Sequence, residues 1–191
     1  MPADRSFERK SSSLIILNSN HSNRTFLHHF NPKRPLLLDA DASKKSGIGA
    51  IVYHIEGDSD AASVTKEGKA MKFPSHRIQP IMFLSKLLSA AEHNYSPTEL
   101  KVADIVWLVR KTRYLIESGA RVHTAAVFTD HTAATEIARQ TTTLMSLSTG
   151  KLNLRLIRAS QYLSQFSLDV RYRPGKIHLV PVALSLDNRE L

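Results

Sequence analysis

The first regular pattern along the chain lies at residues 35–43, where an apolar position recurs every second residue. A period of two predicts a β-strand, because successive side chains of a strand point to opposite faces. One face of this strand is expected to be apolar and the other to hold two carboxylates. The apolar face consists of Leu36, Leu38, Ala40 and Ala42, and the second face of Leu37, Asp39, Asp41 and Ser43.

The later apolar runs predict four further strands and four helices. The strands are expected at 48–55, 80–85, 124–129 and 168–172, and the helices at 97–118, 132–139, 151–166 and 182–185. The long helix has the best-defined start, with Ser96 at the N-cap, Pro97 at N1 and Glu99 at N3. The order βββαβααβα predicts a mixed α/β domain that begins with an antiparallel meander.

Charge points to the kind of partner. The chain has 26 Lys and Arg against 17 Asp and Glu, which gives a net charge of +9 and a pI near 9.9. Such an excess of positive charge favours partners with dense negative charge over neutral metabolites or basic proteins. Nucleic acid is therefore the first candidate.

Length and composition predict one packed domain with tails. The chain has 191 residues, of which 42% are hydrophobic and 23% charged, close to the average of globular proteins. The absence of Cys excludes disulfides, thiolate zinc sites and cysteine nucleophiles. No run of apolar residues reaches the length of a membrane span, and the start of the chain lacks a secretory signal pattern. We therefore expect an intracellular protein of the cytoplasm or nucleus.

Three acidic residues are candidates for chemistry, and each lies in a different predicted element. Asp41 is in the first strand, Glu99 in the first turn of the long helix and Asp130 at the end of the fourth strand. If the three carboxylates converge, a cation is needed to offset their repulsion. Mg²⁺ suits such oxygen ligands, and with the basic charge it suggests metal-assisted hydrolysis of a phosphodiester.

Each of these acids also has a structural explanation. Glu99 is the N3 partner of a capping box, and Asp130 could cap the helix that follows it. Asp39 and Asp41 could form the solvated face of an edge strand. The residues taken one by one leave both explanations open.

Several short motifs occur in an order that is similar to one known family. They are Asp41-Ala42-Ser43, Gly47-Ile48-Gly49-Ala50, Ser85-Lys86-Leu87-Leu88, Tyr95-Ser96-Pro97-Thr98-Glu99-Leu100, Thr129-Asp130-His131 and Tyr172-Arg173-Pro174-Gly175-Lys176. The ordered set resembles the ribonuclease H domains of gypsy-type LTR retrotransposon reverse transcriptases. The resemblance implies a ribonuclease H-like domain at 26–186, between a poorly ordered leader at 1–25 and a tail at 187–191. It further implies a mixed five-stranded sheet, antiparallel in its first three strands and flanked by helices.

The resemblance also implies a site. In such domains four carboxylates hold two Mg²⁺ ions, for which Mn²⁺ can substitute. The domain uses these ions to cut the RNA strand of RNA/DNA hybrids. The match carries the first three carboxylates onto Asp41, Glu99 and Asp130, whereas Val182 stands in the position of the fourth. We therefore expect impaired hydrolysis, with Asp39 as the better candidate to replace the lost carboxylate. The alternatives are an inactive nucleic-acid-binding module and a retroelement relic.

A basic surface is expected beside the predicted helix at 151–166 and the last strand. Its candidates for contact with a phosphate backbone are Lys151, Arg155, Arg158, Arg171, Arg173 and Lys176. A merely solvated charged face is the alternative explanation. The expected partners are an RNA/DNA hybrid or another nucleic-acid duplex, together with the polymerase domain of a reverse transcriptase.

Overall fold

A computed structural model describes residues 27–45, 47–57, 77–119, 123–139 and 154–174. The described strands are β1 (Leu37–Ser43), β2 (Gly47–Ile55), β3 (Ile78–Lys86), β4 (Ala125–Thr129) and β5 (Leu168–Tyr172). The described helices are α1 (Ala90–His93), α2 (Pro97–Gly119), α3 (Thr132–Arg139) and α4 (Leu154–Leu163). The predicted leader at 1–25 and the predicted helix at 182–185 lie outside the described residues.

The strands form one sheet in the order β3-β2-β1-β4-β5. β1, β2 and β3 pair as an antiparallel meander, whereas β4 pairs in parallel with both β1 and β5. The predicted fold class, a mixed five-stranded sheet with an antiparallel beginning and flanking helices, is confirmed. The turn between β1 and β2 needs Gly47, because its φ is +97° and a Cβ would lie 2.5 Å from the Lys86 carbonyl oxygen.

The main core lies between one face of the sheet and α2, α3 and α4. The predicted apolar face of β1 contributes Leu36, Leu38 and Ala40 to it, which confirms the alternation. Leu37 belongs instead to a second cluster on the other face of the sheet, together with Tyr53 and Phe128. None of the described helices combines the length and the apolar character that crossing a bilayer requires.

Two local features differ from the sequence-based expectation. The short helix α1 was not predicted, and it begins with its own capping box between Ser89 and Glu92. Helix α4 ends at Leu163 rather than at residue 166, and its expected first residues, 151–153, lie outside the described residues. Neither difference moves an element away from its place in the sheet or the helical layer.

Candidate functional site

Asp41 and Asp130 lie at the carboxyl ends of two neighbouring parallel strands. The ladder between β1 and β4 places Leu37 opposite Ala126 and Asp39 opposite Phe128. Continuing this register by two residues places Asp41 level with Asp130, the residue that follows β4. The carboxyl ends of adjacent parallel strands are where open α/β sheets form their binding crevices.

Lys101 of helix α2 bridges the two aspartates. Its Nζ lies 2.5 Å from Asp41 Oδ1 and 2.7 Å from Asp130 Oδ1. The Lys101 side chain is 12% exposed, and those of Asp41 and Asp130 are 10% and 28% exposed. An ammonium group has three donors and no acceptor, so one lysine can bind both carboxylates at once. The cation that the aspartate pair requires is therefore supplied by the chain itself.

The electrostatics of Lys101 agree with this arrangement. Burial by itself would lower the pKa of the ammonium group, but the charges of Asp41 and Asp130 and their hydrogen bonds raise it above its usual value. Lys101 is therefore charged throughout the neutral range. Two negative charges and one positive charge meet at the ends of β1 and β4.

Glu99 makes contacts at the start of α2, and its predicted convergence with the two aspartates stays a prediction. One of its carboxylate oxygens accepts a hydrogen bond from the Ser96 backbone N–H at 2.8 Å, and Arg155 Nη1 lies 3.2 Å from the other. Residues two apart on a helix point about 200° apart, so Glu99 and Lys101 cannot face the same group. The structure thus supports the capping explanation of Glu99.

The donor set at the aspartates does not fit a divalent metal ion. Within the described residues, no group of three or more His, Asp or Glu side chains is placed to hold a metal. The oxygens that would bind the ion instead accept from the Lys101 ammonium group. Val182, the position of the expected fourth carboxylate, lies outside the described residues, so that part of the prediction stays a prediction.

Asp104 is a buried acid that the sequence analysis missed. It is fully buried on α2, and neither carboxyl oxygen has a hydrogen-bond partner in the part of the chain that the structure describes. Burial raises its pKa well above the usual value; Lys101 opposes this shift, and Asp41 and Asp130 add to it. Burial therefore favours the protonated form of this carboxyl group.

A second buried ion pair joins Asp39 to Arg173. Arg173 Nη1 donates to Asp39 Oδ2 and, at 3.2 Å, to Tyr53 Oη, while the guanidinium lies 3.6 Å from the centre of the Phe128 ring. Burial raises the pKa of Asp39 to about 6 although Arg173 lowers it. Asp39 is thus engaged in this pair, and its role as a substitute for a fourth carboxylate stays a prediction.

The structure describes four of the six residues predicted to form a basic surface. Arg173 is 3% exposed, so it cannot contact a phosphate backbone at the surface. Arg171 donates to Asp169 Oδ2 at 2.7 Å, so its charge is already paired with a carboxylate. Arg155 and Arg158 are exposed on α4. Lys151 and Lys176 lie outside the described residues.

A groove of about 350 Å³ runs between α2 and α4. Basic and aromatic side chains along it include Lys86, Tyr95, Trp107, Arg110, Arg155 and Arg158. Glu92 and Glu99 also line the groove, where they pair with Lys86 and Arg155. The Arg155 guanidinium lies 4.7 Å from the centre of the Tyr95 ring, and that of Arg110 lies 4.9 Å from the Tyr162 ring. Arginines held over aromatic rings present their charge in a fixed orientation, which suits phosphate contacts.

Comparison with known families gives one extended match. The model of the family described as "RNase H-like domain found in reverse transcriptase" matches residues 31–166. This range contains both aspartates, Lys101 and strands β1 to β4, whereas β5 begins two residues after it ends. It stops before Val182.

Similar proteins are retrotransposon polyproteins. The chain is 28% identical over 156 residues to the retrovirus-related Pol polyprotein from transposon gypsy of Drosophila melanogaster, covering 82% of this chain and 12% of the polyprotein. It is 24% identical over 159 residues to the transposon Tf2-3 polyprotein of Schizosaccharomyces pombe, covering 83% of this chain and 10% of the polyprotein. The chain thus spans about a tenth of the length of these relatives.

A similar solved structure is a foamy viral protease-reverse transcriptase in complex with double-stranded DNA. The alignment has a TM-score of 0.48 and 16% sequence identity, and it covers 76% of this chain and 21% of the viral protein.

Proposed function

Because the chain belongs to the family of RNase H-like domains found in reverse transcriptases, we propose that it binds nucleic-acid duplexes, RNA/DNA hybrids above all, without hydrolysing them efficiently. One observation carries the second half of this proposal: the aspartates at the ends of β1 and β4 are bridged by the Lys101 ammonium group. The first half rests on the basic groove and the net charge.

The groove between α2 and α4 supports duplex binding. Arg155 and Arg158 are exposed along it, and Lys86 and Arg110 line the same groove. Side chains of this kind fix a nucleic acid by its phosphates and carry little sequence information. We therefore expect binding that depends on backbone geometry and salt rather than on base sequence.

Impaired hydrolysis follows from the charge at the aspartates. The resemblance to retrotransposon ribonuclease H domains implies two Mg²⁺ ions held by carboxylates, and such ions supply the stabilisation of the attacking and leaving oxygens. Here Asp41 and Asp130 already bind a cation of the chain, and Glu99 faces another way. Val182 at the expected fourth position acts in the same direction.

The test measures binding and cleavage with the same labelled RNA/DNA hybrid. We expect fluorescence anisotropy to show hybrid binding, and Arg158→Ala to weaken its affinity about tenfold. Arg113→Ala is the control and should leave the affinity unchanged, since Arg113 is exposed on α2 outside the groove. We expect no RNA cleavage by the natural chain in Mg²⁺ or Mn²⁺. The absence of hybrid binding would refute the proposal.

Hydrolysis is the second candidate function. The observation in its favour is the closeness of the Asp41 and Asp130 carboxylates, which contact the same Lys101 nitrogen. Cleavage by the natural chain that is lost in Asp41→Asn would establish it. Cleavage by Val182→Asp alone would instead identify residue 182 as the main defect and Lys101 as tolerated.

A further inference from the structure

We propose that Lys101 is a built-in substitute for a divalent cation, and that its removal turns the Asp41–Asp130 pair into a divalent metal site. The inference rests on the proposed function, because it names the group that keeps metal ions away from the site. It goes beyond that function in assigning a structural task to the lysine.

The first step of the argument is geometric. One carboxylate oxygen of each aspartate lies within 2.7 Å of the same nitrogen atom. Two oxygens that share one small cation are already placed to share another, and Mg²⁺ binds carboxylate oxygens at about 2.1 Å. A modest inward shift of the two side chains is enough to replace the ammonium group by a metal ion.

The second step concerns the position of Lys101 on its helix. Residues 101, 105, 108 and 112 follow the spacing of one helix face, and Ile105, Leu108 and Thr112 are all buried. The lysine therefore continues the buried stripe of α2 and is directed towards the sheet. Its side chain is largely covered, so it does not swing freely into solvent and leave the aspartates to a metal ion.

The third step concerns what remains when the ammonium group is removed. Asp41 and Asp130 then lie side by side, partly buried, without the cation that offsets their repulsion. Asp104 is a further buried carboxyl group whose electrostatic neighbours include both aspartates, and its oxygens have no hydrogen-bond partner within the described residues. Without the lysine, the repulsion between the carboxylates is no longer offset, and a bound cation would lower it. Because only oxygen ligands are present, the site favours Mg²⁺ or Mn²⁺.

The experiment compares the effect of metal ions on thermal unfolding. The natural chain, Lys101→Met and the double variant Lys101→Met/Asp41→Asn are melted with MgCl₂, with MnCl₂ and with NaCl at matched ionic strength. We expect no specific effect of the divalent ions on the Tm of the natural chain. The Tm of Lys101→Met should be lower in NaCl and rise by at least about 3 °C in either divalent salt, because a ligand that binds only the folded state stabilises it. The double variant should not respond.

Controls separate this effect from general salt effects and from misfolding. Lys111→Met is the matched control, because Lys111 is an exposed lysine on the same helix. Lys101→Gln serves as a second variant if Lys101→Met does not fold, since the amide still donates a hydrogen bond. Free Mn²⁺ measured by electron paramagnetic resonance gives binding without reference to stability: the Lys101 variants should take up Mn²⁺ and the natural chain should not.

Two outcomes would overturn the inference. One is a natural chain that binds Mn²⁺ as tightly as Lys101→Met does. The other is a folded Lys101 variant that neither binds Mn²⁺ nor gains Tm from it. Hybrid binding by the natural chain, measured on the same preparation, is independent of both outcomes. The absence of hybrid binding would refute the proposed function. The absence of a metal response in the Lys101 variants would refute only the role of Lys101.

Discussion

Arg173 and Asp39 form the most buried ion pair in the described part of the chain, with side chains 4% and 8% exposed. Removing one partner of a buried pair leaves the other charge uncompensated, which is far more costly than the pair itself is stabilising. The pKa of Asp39 is already raised to about 6 in the presence of Arg173. The loss of the cation would raise this pKa further.

Arg173→Met should therefore destabilise the fold in a pH-dependent way. We expect a loss of about 3–5 kcal/mol in the free energy of unfolding at neutral pH. Near pH 5 the loss should be smaller, because the raised folded-state pKa lets Asp39 take up a proton and become neutral. As pH rises, Asp39 loses this proton and the cost of an unpaired buried charge returns. Urea unfolding at both pH values measures it. Arg171→Met, the control, should lower the free energy of unfolding less than Arg173→Met does at either pH. An equal loss of stability for Arg173→Met at both pH values would contradict the account.

Asp104 gives a second prediction at this scale. Burial raises the pKa of Asp104 in the folded state well above its value in the unfolded chain, so the contribution of Asp104 to stability falls as pH rises above about 4. Asp104→Leu should stabilise the domain by about 1–3 kcal/mol at neutral pH, since it removes a buried polar group without a hydrogen-bond partner. The gain should shrink towards pH 4.

The pH series of urea unfolding curves also needs a surface control. Glu136→Leu replaces an exposed acid on α3 and should show no such pH-dependent gain. Destabilisation of the domain by Asp104→Leu at neutral pH would contradict the account of Asp104 as a buried carboxyl group without a hydrogen-bond partner within the described residues.

At the scale of the element, the start of α2 decides the role of Glu99. Ser96→Ala should lower the free energy of unfolding by about 1 kcal/mol through the loss of the N-cap. Glu99→Gln should cost less, because Gln also completes a capping box. Thermal unfolding of both variants measures these changes. A Glu99→Gln variant that changes the metal response of Lys101→Met would contradict the assignment of Glu99 to the cap.

The elements were largely predictable because their signals are local. The period of two in β1, the capping box of α2 and the hairpin spacing of β1 and β2 each involve a few neighbouring residues. The role of Lys101 had a local signal too, since it stands on the buried stripe of α2 while Glu99 stands off it. The pairing of Asp39 with Arg173 had none, because the two residues are 134 positions apart and meet only through the strand order.

At the scale of the whole molecule, the net charge of +9 predicts binding that weakens steeply with salt. The groove residues Arg110 and Arg158, together with Lys86 and Arg155 when these exchange Glu92 and Glu99 for phosphates, allow roughly two to four phosphate contacts. We expect the logarithm of hybrid affinity to fall against the logarithm of salt concentration with a slope of roughly −2 to −4. Fluorescence anisotropy over a salt series measures it. A slope near zero would show that phosphates contribute little.

Cleavage of the RNA strand of a labelled hybrid tests the central claim most directly. The claim is that Lys101, in a fold of the RNase H type, takes the place of a divalent metal ion between Asp41 and Asp130. The natural chain is compared with the double variant Lys101→Glu/Val182→Asp, which exchanges the ammonium group for a carboxylate and adds the carboxylate that the family resemblance places at 182. The account predicts no cleavage by the natural chain and Mg²⁺-dependent cleavage by the double variant that Asp41→Asn abolishes. Cleavage by the natural chain that depends on Asp41 would contradict it.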